Sequence, residues 1–131
     1  MAMPAAMHHV NLCVPPKVGE KDGTDAEAEW LVELLGYRKA EPGPDAANFG
    51  TLWWFEADDG HQVHLTVDPE HHPSGRAHTA IRLDGALDAV ITRLEAAGET
   101  PYATTFDGDR HVFTNDPAGN LWELIGPPAQ A

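Results

Sequence analysis

Two stretches of this chain combine a turn, a strand and a side chain that can bind a metal ion. Residues 115–126 read NDPAGNLWELIG, and Glu123 lies between a tryptophan and a leucine in the strand predicted after the turn. A carboxylate among large apolar neighbours is costly unless it is paired or bound to a metal. Residues 58–65, DDGHQVHL, align with 117–124, so that a turn glycine precedes His64 by four residues, just as another precedes Glu123.

Each half of the chain also carries a histidine near the start of its first predicted strand. Residues 7–14 alternate in polarity and place His9 on a polar face together with Asn11. Residues 78–83 alternate in the same way and place His78 on the polar face. If the two halves pair about a pseudo-twofold axis, these histidines and the two strand-borne side chains converge on one concave sheet surface. The candidate metal ligands are His9, His64, His78 and Glu123.

Two or three imidazoles with one carboxylate are ligands of borderline softness. They suit Fe(II), Mn(II), Co(II), Ni(II) or Zn(II), and we expect one such divalent metal ion as the cofactor. Two histidines and one carboxylate with open positions are also the ligand set of nonheme Fe(II) oxygenases. Because imidazole titrates near neutral pH, His64 has a second possible role as an acid or base beside the metal.

The elements that position these side chains repeat along the chain. Module 1, about residues 7–68, is predicted as βαβββ. A polar linker follows its first strand, and the helix begins with a capping box at residues 24–27 and ends at Gly36. Residues 37–41 and the aromatic residues 51–57 are the next strands, and a hairpin turn leads into the last one.

Module 2, about residues 76–127, repeats the βαβββ order, with a helix that ends before Gly98. Residues 68–76 link the two modules. A repeat of about 50 residues indicates one supersecondary unit used twice. The sequence therefore predicts an α+β fold in a single domain that spans residues 1–131.

Composition excludes several classes of partner. The formal net charge is −13, with 21 acidic and 8 basic side chains, which disfavours nucleic acid or an anionic membrane surface as the main partner. No apolar run approaches the roughly 20 residues that span a bilayer, and the first residues do not form a secretion signal. A single cysteine excludes an internal disulfide framework, so we expect a cytoplasmic protein with a small-molecule substrate.

Taken together, residues 7–127 resemble the vicinal oxygen chelate superfamily. This group includes glyoxalase I, methylmalonyl-CoA epimerase, extradiol dioxygenases, fosfomycin-resistance transferases and bleomycin-binding proteins. The motifs that carry the resemblance are HHVNLCV at 8–14, QVHLTV at 62–67, HTAIRL at 78–83 and DPAGNLWEL at 116–124. They are typical of the superfamily as a whole and select no single member.

The resemblance implies a curved, partly open barrel-like sheet with helices on the outside. It also implies that His9, His78 and Glu123 are metal ligands, because they match the family's ligand positions. The fourth-strand position is commonly a glutamate in glyoxalase I, where it acts as both ligand and proton-transfer base. Here that position is His64, which weakens a glyoxalase assignment.

Two classes of function follow. The first is a glyoxalase- or dioxygenase-like metalloenzyme that chelates adjacent oxygens of a small substrate, with lyase, isomerase or dioxygenase chemistry. In that case His64 and Glu123 are the catalytic candidates, and Asn11, Arg82 and Trp54 are the substrate-binding candidates. The alternative is a metal-free binding protein of the bleomycin-resistance type that sequesters a small hydrophobic ligand. The intact ligand set favours the enzyme.

Several other side chains have structural interpretations. We expect the turn and linker histidines His61, His71 and His72 to be solvated. His111 either lines the pocket or is an ordinary strand histidine, and the second interpretation is favoured. Arg82 either binds a substrate carboxylate or forms a structural ion pair. A homodimer is expected because curved sheets of this kind leave edges and faces to cover. Its metal site would lie within one chain or be shared between two.

Overall fold

The computed structural model describes residues 3–50 and 52–129, apart from the side chain of Phe49. Thr51, predicted to start the aromatic strand, lies outside the described residues. The chain divides into two compact units, with the boundary between His71 and His72. This division coincides with the predicted linker between the modules.

The first unit contains a four-stranded sheet in the order β1-β6-β5-β4. Its parallel pair is β1 with β6, and its other neighbours are antiparallel. The strands are β1 (His9–Val14), β4 (Arg38–Ala40), β5 (Trp53–Glu56) and β6 (Gln62–Val67). Between β1 and β4 lies helix α1 (Gly23–Glu29), which continues as a π-helical segment (Trp30–Leu34). A 3₁₀ turn (Ala46–Phe49) precedes β5.

The second unit repeats this topology with the order β7-β10-β9-β8. Here β7 and β10 are parallel, and the other neighbours are antiparallel. The elements are β7 (His78–Arg82), α2 (Leu87–Ala96), β8 (Tyr102–Thr105), β9 (Arg110–Asn115) and β10 (Leu121–Gly126). The predicted repeat of two βαβββ modules and the α+β class are therefore confirmed.

The turns before the two last strands are built alike. In the first unit, the Ala57 amide donates to the His61 carbonyl, and the Gly60 amide donates to the Ala57 carbonyl. In the second unit, Asp116, Asn120 and Gly119 make the same two bonds. Both glycines have φ near +90°, at +93° and +86°, which a side chain would strain. The predicted alignment of the two turns is thus confirmed atom for atom.

Each sheet buries one face against its helix. In the first unit the buried side chains include Val14, Phe55, Val63 and Leu65, together with Trp30 and Leu31 of the π-helical segment. In the second they include Val112, Trp122 and Leu124, packed with Leu87, Val90 and Leu94 of α2. These are the apolar positions of the alternating strands, so the opposite faces present the polar side chains, as predicted.

Two local predictions in the first module are wrong. The segment after β1, predicted as a polar linker, forms a short hairpin of β2 (Lys17–Val18) and β3 (Lys21–Asp22). This hairpin leads straight into α1, which begins at Gly23. The predicted capping box therefore does not form, because Thr24 already lies inside the helix and the N-cap position is Asp22, which makes no side-chain cap bond.

Candidate functional site

The four predicted metal ligands occupy equivalent positions in the two sheets. In the first unit, His64 of β6 lies opposite Asn11 of β1, two residues beyond His9. In the second, Glu123 of β10 lies opposite Ala80 of β7, two residues beyond His78. Within each unit the two side chains therefore lie on the same face of neighbouring strands. The repeat places one adjacent pair of candidate ligands in each unit.

In the first unit the pair is part of an aromatic stack. The rings of His9 and His64 are stacked, with centroids 4.1 Å apart and planes 14° apart. The Trp54 indole covers the other side of His64, also at 4.1 Å and with planes 4° apart. His64 is buried, whereas His9 is exposed at the start of β1. Trp54 thus fixes the plane of the His64 ring.

A hydrogen-bond chain sets the protonation of His64. The Gln62 amide nitrogen donates to Glu56 Oε1 at 3.1 Å, which turns the Gln62 oxygen toward His64 Nε2 at 2.8 Å. That nitrogen therefore carries the proton, and Nδ1 keeps the lone pair of the neutral ring. Burial, followed by the charges of His9 and His8, lowers the pKa of His64 to about 4. His64 is thus neutral near pH 7, which is the form that binds metals.

In the second unit the pair is in direct polar contact. His78 Nε2 lies 3.0 Å from Glu123 Oε1, and His78 Nδ1 lies 2.9 Å from the carbonyl oxygen of Arg76. The carbonyl can only accept, so Nδ1 carries a proton and Nε2 holds the lone pair of the neutral ring. A lone pair and a carboxylate oxygen at this distance attract a cation between them. Either a proton or a metal ion can lie between these two atoms.

His111 lies in the site, although the sequence favoured an ordinary strand histidine over one that lines the pocket. Its Nδ1 lies 2.5 Å from Glu123 Oε2 and its Nε2 lies 2.9 Å from Asp107 Oδ1. These bonds, to Asp107 first and then to Glu123, raise the pKa of His111. The turn at 116–119 could have revealed it, because that turn sets the register in which His111 faces Ile125 and so shares a face with Glu123.

Arg82 and Asn11, predicted to bind substrate, already have protein partners. The Arg82 guanidinium forms ion pairs with Asp84 at 2.7 Å and Asp109 at 3.1 Å, which realises the structural ion pair considered above. Thr66 donates to Asn11 Oδ1 at 3.1 Å on the exposed face of β1. A role for either in substrate binding stays a prediction.

The remaining histidines fall into two groups. His8 and His9 lie with their Nδ1 atoms 2.9 Å apart, so one ring donates and the other accepts. The expectation that His61 is solvated is wrong: only 19% of its side chain is exposed, and it bridges Asp59 and the Tyr37 hydroxyl at 2.5 and 2.7 Å. The linker residue His72 is exposed, and His71 is half-buried.

The imidazole and carboxylate donors suit a divalent metal of borderline softness, although the side chains do not already surround a metal-binding position. Within residues 3–50 and 52–129, no three His, Cys, Asp or Glu side chains surround a common point that could hold a metal ion. In the second unit Glu123 lies between His78 and His111 and contacts both. Metal binding there requires Glu123 Oε1 and His78 Nε2 to exchange their mutual contact for the ion.

Residues 18–125 match the family described as Glyoxalase-like domain. The chain belongs to this family. Its fold is similar to that of a protein from Bacillus anthracis assigned to the glyoxalase family, with a TM-score of 0.77, 20% identity, and coverage of 98% of this chain and 99% of that one. This glyoxalase-like protein thereby also falls within the vicinal oxygen chelate superfamily that its motifs resemble.

Two further solved structures share the fold. Lactoylglutathione lyase from Agrobacterium tumefaciens matches with a TM-score of 0.67, 22% identity and 95% coverage of both chains. The oxidase ChaP-H2 matches with a TM-score of 0.70, 18% identity and 98% coverage of both chains. No curated protein matches this glyoxalase-like chain. Over the described ranges, it has no helix with the length and apolarity needed to cross a membrane.

Proposed function

We propose that this protein is a glyoxalase- or dioxygenase-like metalloenzyme that acts on a small molecule with adjacent oxygen atoms. The proposal holds that His9, His64, His78 and Glu123 bind one divalent metal ion. The observation that carries it is the matched pairing: each unit brings the first residue of one strand against the third residue of its parallel neighbour. Both pairs consist of side chains that ligate borderline metals.

A bound divalent ion would polarise the substrate oxygens and stabilise negative charge that develops on them. The side chains would divide the remaining work. His64, neutral and held by Gln62 through Nε2, offers Nδ1 either to the ion or to a substrate proton. Glu123 offers Oε1 on the side that faces His78. Trp54, stacked on His64, would form a flat apolar wall next to the substrate.

The class of reaction is supported at two levels. Structures with this fold include a protein named lactoylglutathione lyase and one named oxidase, so the fold accommodates both kinds of chemistry. The histidine at position 64 puts a neutral imidazole where glyoxalase I commonly has a charged carboxylate base. We therefore propose either oxygen-dependent chemistry or lyase or isomerase chemistry on a substrate with vicinal oxygens. The identity of the bound metal distinguishes between them.

Elemental analysis of protein purified without oxygen tests the proposal. We expect about one divalent ion per site in the wild type, and a sharp loss of metal in Glu123→Gln and His78→Gln with the fold unchanged by circular dichroism. The matched controls are Glu99→Gln and His72→Gln, which change exposed side chains. Iron would favour oxygen chemistry, whereas nickel, zinc or cobalt would favour isomerisation.

Full metal occupancy in Glu123→Gln would overturn the ligand assignment. Wild-type protein that binds none of these metals would instead favour the metal-free alternative, a protein that sequesters a hydrophobic ligand. Calorimetry with planar apolar compounds would then be the next measurement, since the Trp54 indole lies on the same sheet face as His64.

We also propose that the protein forms a homodimer. Large apolar side chains that remain exposed in the described chain support this, including Leu52, Tyr102 and Phe106. Light scattering at micromolar concentration should give twice the 14.2 kDa chain mass, and a value near 14.2 kDa would contradict the dimer. Mixed His9→Ala and Glu123→Ala subunits would regain metal binding only if the site is shared between chains.

A further inference from the structure

We propose that His111, anchored by Asp107, is a positioning residue that holds the Glu123 carboxylate in a single orientation. In this orientation Oε2 is bonded to His111 and Oε1 is presented to His78. The inference rests on the proposed function in one respect only, namely that Glu123 binds a metal ion. The contact between His111 and Glu123 is present in the structure itself.

Three contacts in series carry the inference. Asp107 Oδ1 lies 2.9 Å from His111 Nε2, His111 Nδ1 lies 2.5 Å from Glu123 Oε2, and Glu123 Oε1 lies 3.0 Å from His78 Nε2. Since both ring nitrogens of His111 face carboxylate oxygens, which accept hydrogen bonds, both nitrogens act as donors. Each oxygen of Glu123 therefore has its own imidazole partner, and rotation of the carboxylate would break both contacts.

Burial ranks these contacts by strength. Only 8% of the His111 side chain and 12% of the Glu123 side chain are exposed, so water competes weakly for the bond between them. Asp107 is 65% exposed, so its bond to His111 is open to water and weaker. The Phe106 ring lies edge-to-face against His111, with centroids 4.8 Å apart, and limits its tilt. His111 is the rigid member, and Asp107 refines its orientation.

The internal repeat does not account for His111. The registers that pair Trp54 with His64 and Phe113 with Glu123 make Leu52 the counterpart of His111. In the first unit His64 is held by Gln62 from its own strand, whereas the counterpart of Gln62 in β10 is Leu121. His64 and Glu123 thus each have a polar partner that is not itself a candidate ligand, and the two partners come from different positions. Partners of this kind orient metal ligands and tune their affinity.

The first test uses metal-free protein. With histidine ring nitrogens labelled, NMR should show a His111 Nδ1–H proton that exchanges slowly with water because it is buried and bonded. This signal should be lost or strongly shifted in Glu123→Ala and retained in Glu99→Ala, the exposed control. A signal that is unchanged by Glu123→Ala would refute the contact.

The second test measures Co(II) affinity in three variants of His111. His111→Leu should weaken binding by about 10–100-fold, the usual effect of removing such a partner. His111→Asn, whose amide can reach the place of Nδ1, should restore part of the affinity, whereas His111→Gln, whose amide lies nearer Nε2, should restore less. Asp107→Asn should have the smallest effect.

Equal Co(II) affinity in wild type and His111→Leu would overturn the positioning role. If His111→Leu fails to fold, the comparison of the Asn and Gln variants still decides, because only the former keeps a donor toward Glu123. Failure of the wild type to bind Co(II) or any other divalent ion would instead defeat the proposed function. The NMR experiment would then still decide whether His111 holds Glu123.

Discussion

Removal of the Asp116 carboxylate should destabilise the second unit more than any other single change to its turns. Asp116 is buried and accepts hydrogen bonds from the Ala118 amide at 3.0 Å, the Asn120 amide at 2.9 Å and the Trp122 indole at 3.0 Å. The side chain of Trp122 is fully buried. One carboxylate thus ties the turn to the core tryptophan beside Glu123.

The magnitude follows from these three bonds. A hydrogen bond to a charged acceptor contributes about 1.5–3 kcal/mol, and removing one partner from buried donors adds a desolvation cost. Because the three share one acceptor and the turn can relax, we expect Asp116→Ala to cost about 3–5 kcal/mol in free energy of unfolding. This is a large part of the roughly 5–15 kcal/mol typical of whole domains. Asp116→Asn, which keeps an acceptor oxygen, should cost less.

Urea unfolding followed by circular dichroism measures the effect. The matched control is Asp58→Ala in the equivalent turn of the first unit, where the carboxylate is fully exposed and pairs with Arg38. Such exposed pairs contribute about 0–1 kcal/mol. A loss below about 1 kcal/mol in Asp116→Ala, or equal losses in both variants, would refute the assigned role of Asp116.

Three further predictions concern the fold. Burial raises the pKa of Tyr37. The stability that its neutral form contributes is therefore present below the unfolded pKa of about 10 and is lost as pH rises above it. Tyr37→Phe should reduce this loss of stability at alkaline pH in urea unfolding, and an unchanged dependence of stability on pH would contradict the prediction. Gly119→Ala should lower the free energy of unfolding by about 1–3 kcal/mol, because φ is +86° and the new Cβ would lie 3.0 Å from Pro73. The control Gly85→Ala should lower it by less, because a Cβ at that position meets open space. Leu94→Ala, at a fully buried position, should cost about 2–5 kcal/mol by thermal or urea unfolding, and a cost below 1 kcal/mol would contradict its place in the core.

The architecture could be predicted from the sequence because it depends on local periodicity. Alternation in residues 7–14 and 78–83, and helical spacing from Leu87 to Leu94, specify strands and helices without knowledge of tertiary contacts. The turn glycines Gly60 and Gly119 then fix the register of the last two strands in each module. These features gave the repeat and hence the pairing of the four candidate ligands.

What could not be predicted is either too short to show a pattern or depends on contacts that are distant in sequence. The β2–β3 hairpin has only two residues in each strand, too few to show alternation, and it is held by the Lys17–Asp22 ion pair across the turn. His61 was expected to be solvated because it lies in a turn, but Tyr37 approaches it from 24 residues away. The turn at 116–119 signals that His111 shares a face with Glu123, but not that Asp107 and Glu123 would both bond to its ring. Substrate and metal identity depend on groups outside the chain.

Anomalous diffraction from crystals grown with Co(II) or Zn(II) would show whether His9, His64, His78 and Glu123 bind one metal ion. Data would be collected on both sides of the metal absorption edge. We expect a single strong peak within about 2.0–2.2 Å of side-chain atoms from these residues, with His111 still bonded to Glu123 Oε2. No peak, or a peak only at His71 and His72, would contradict it.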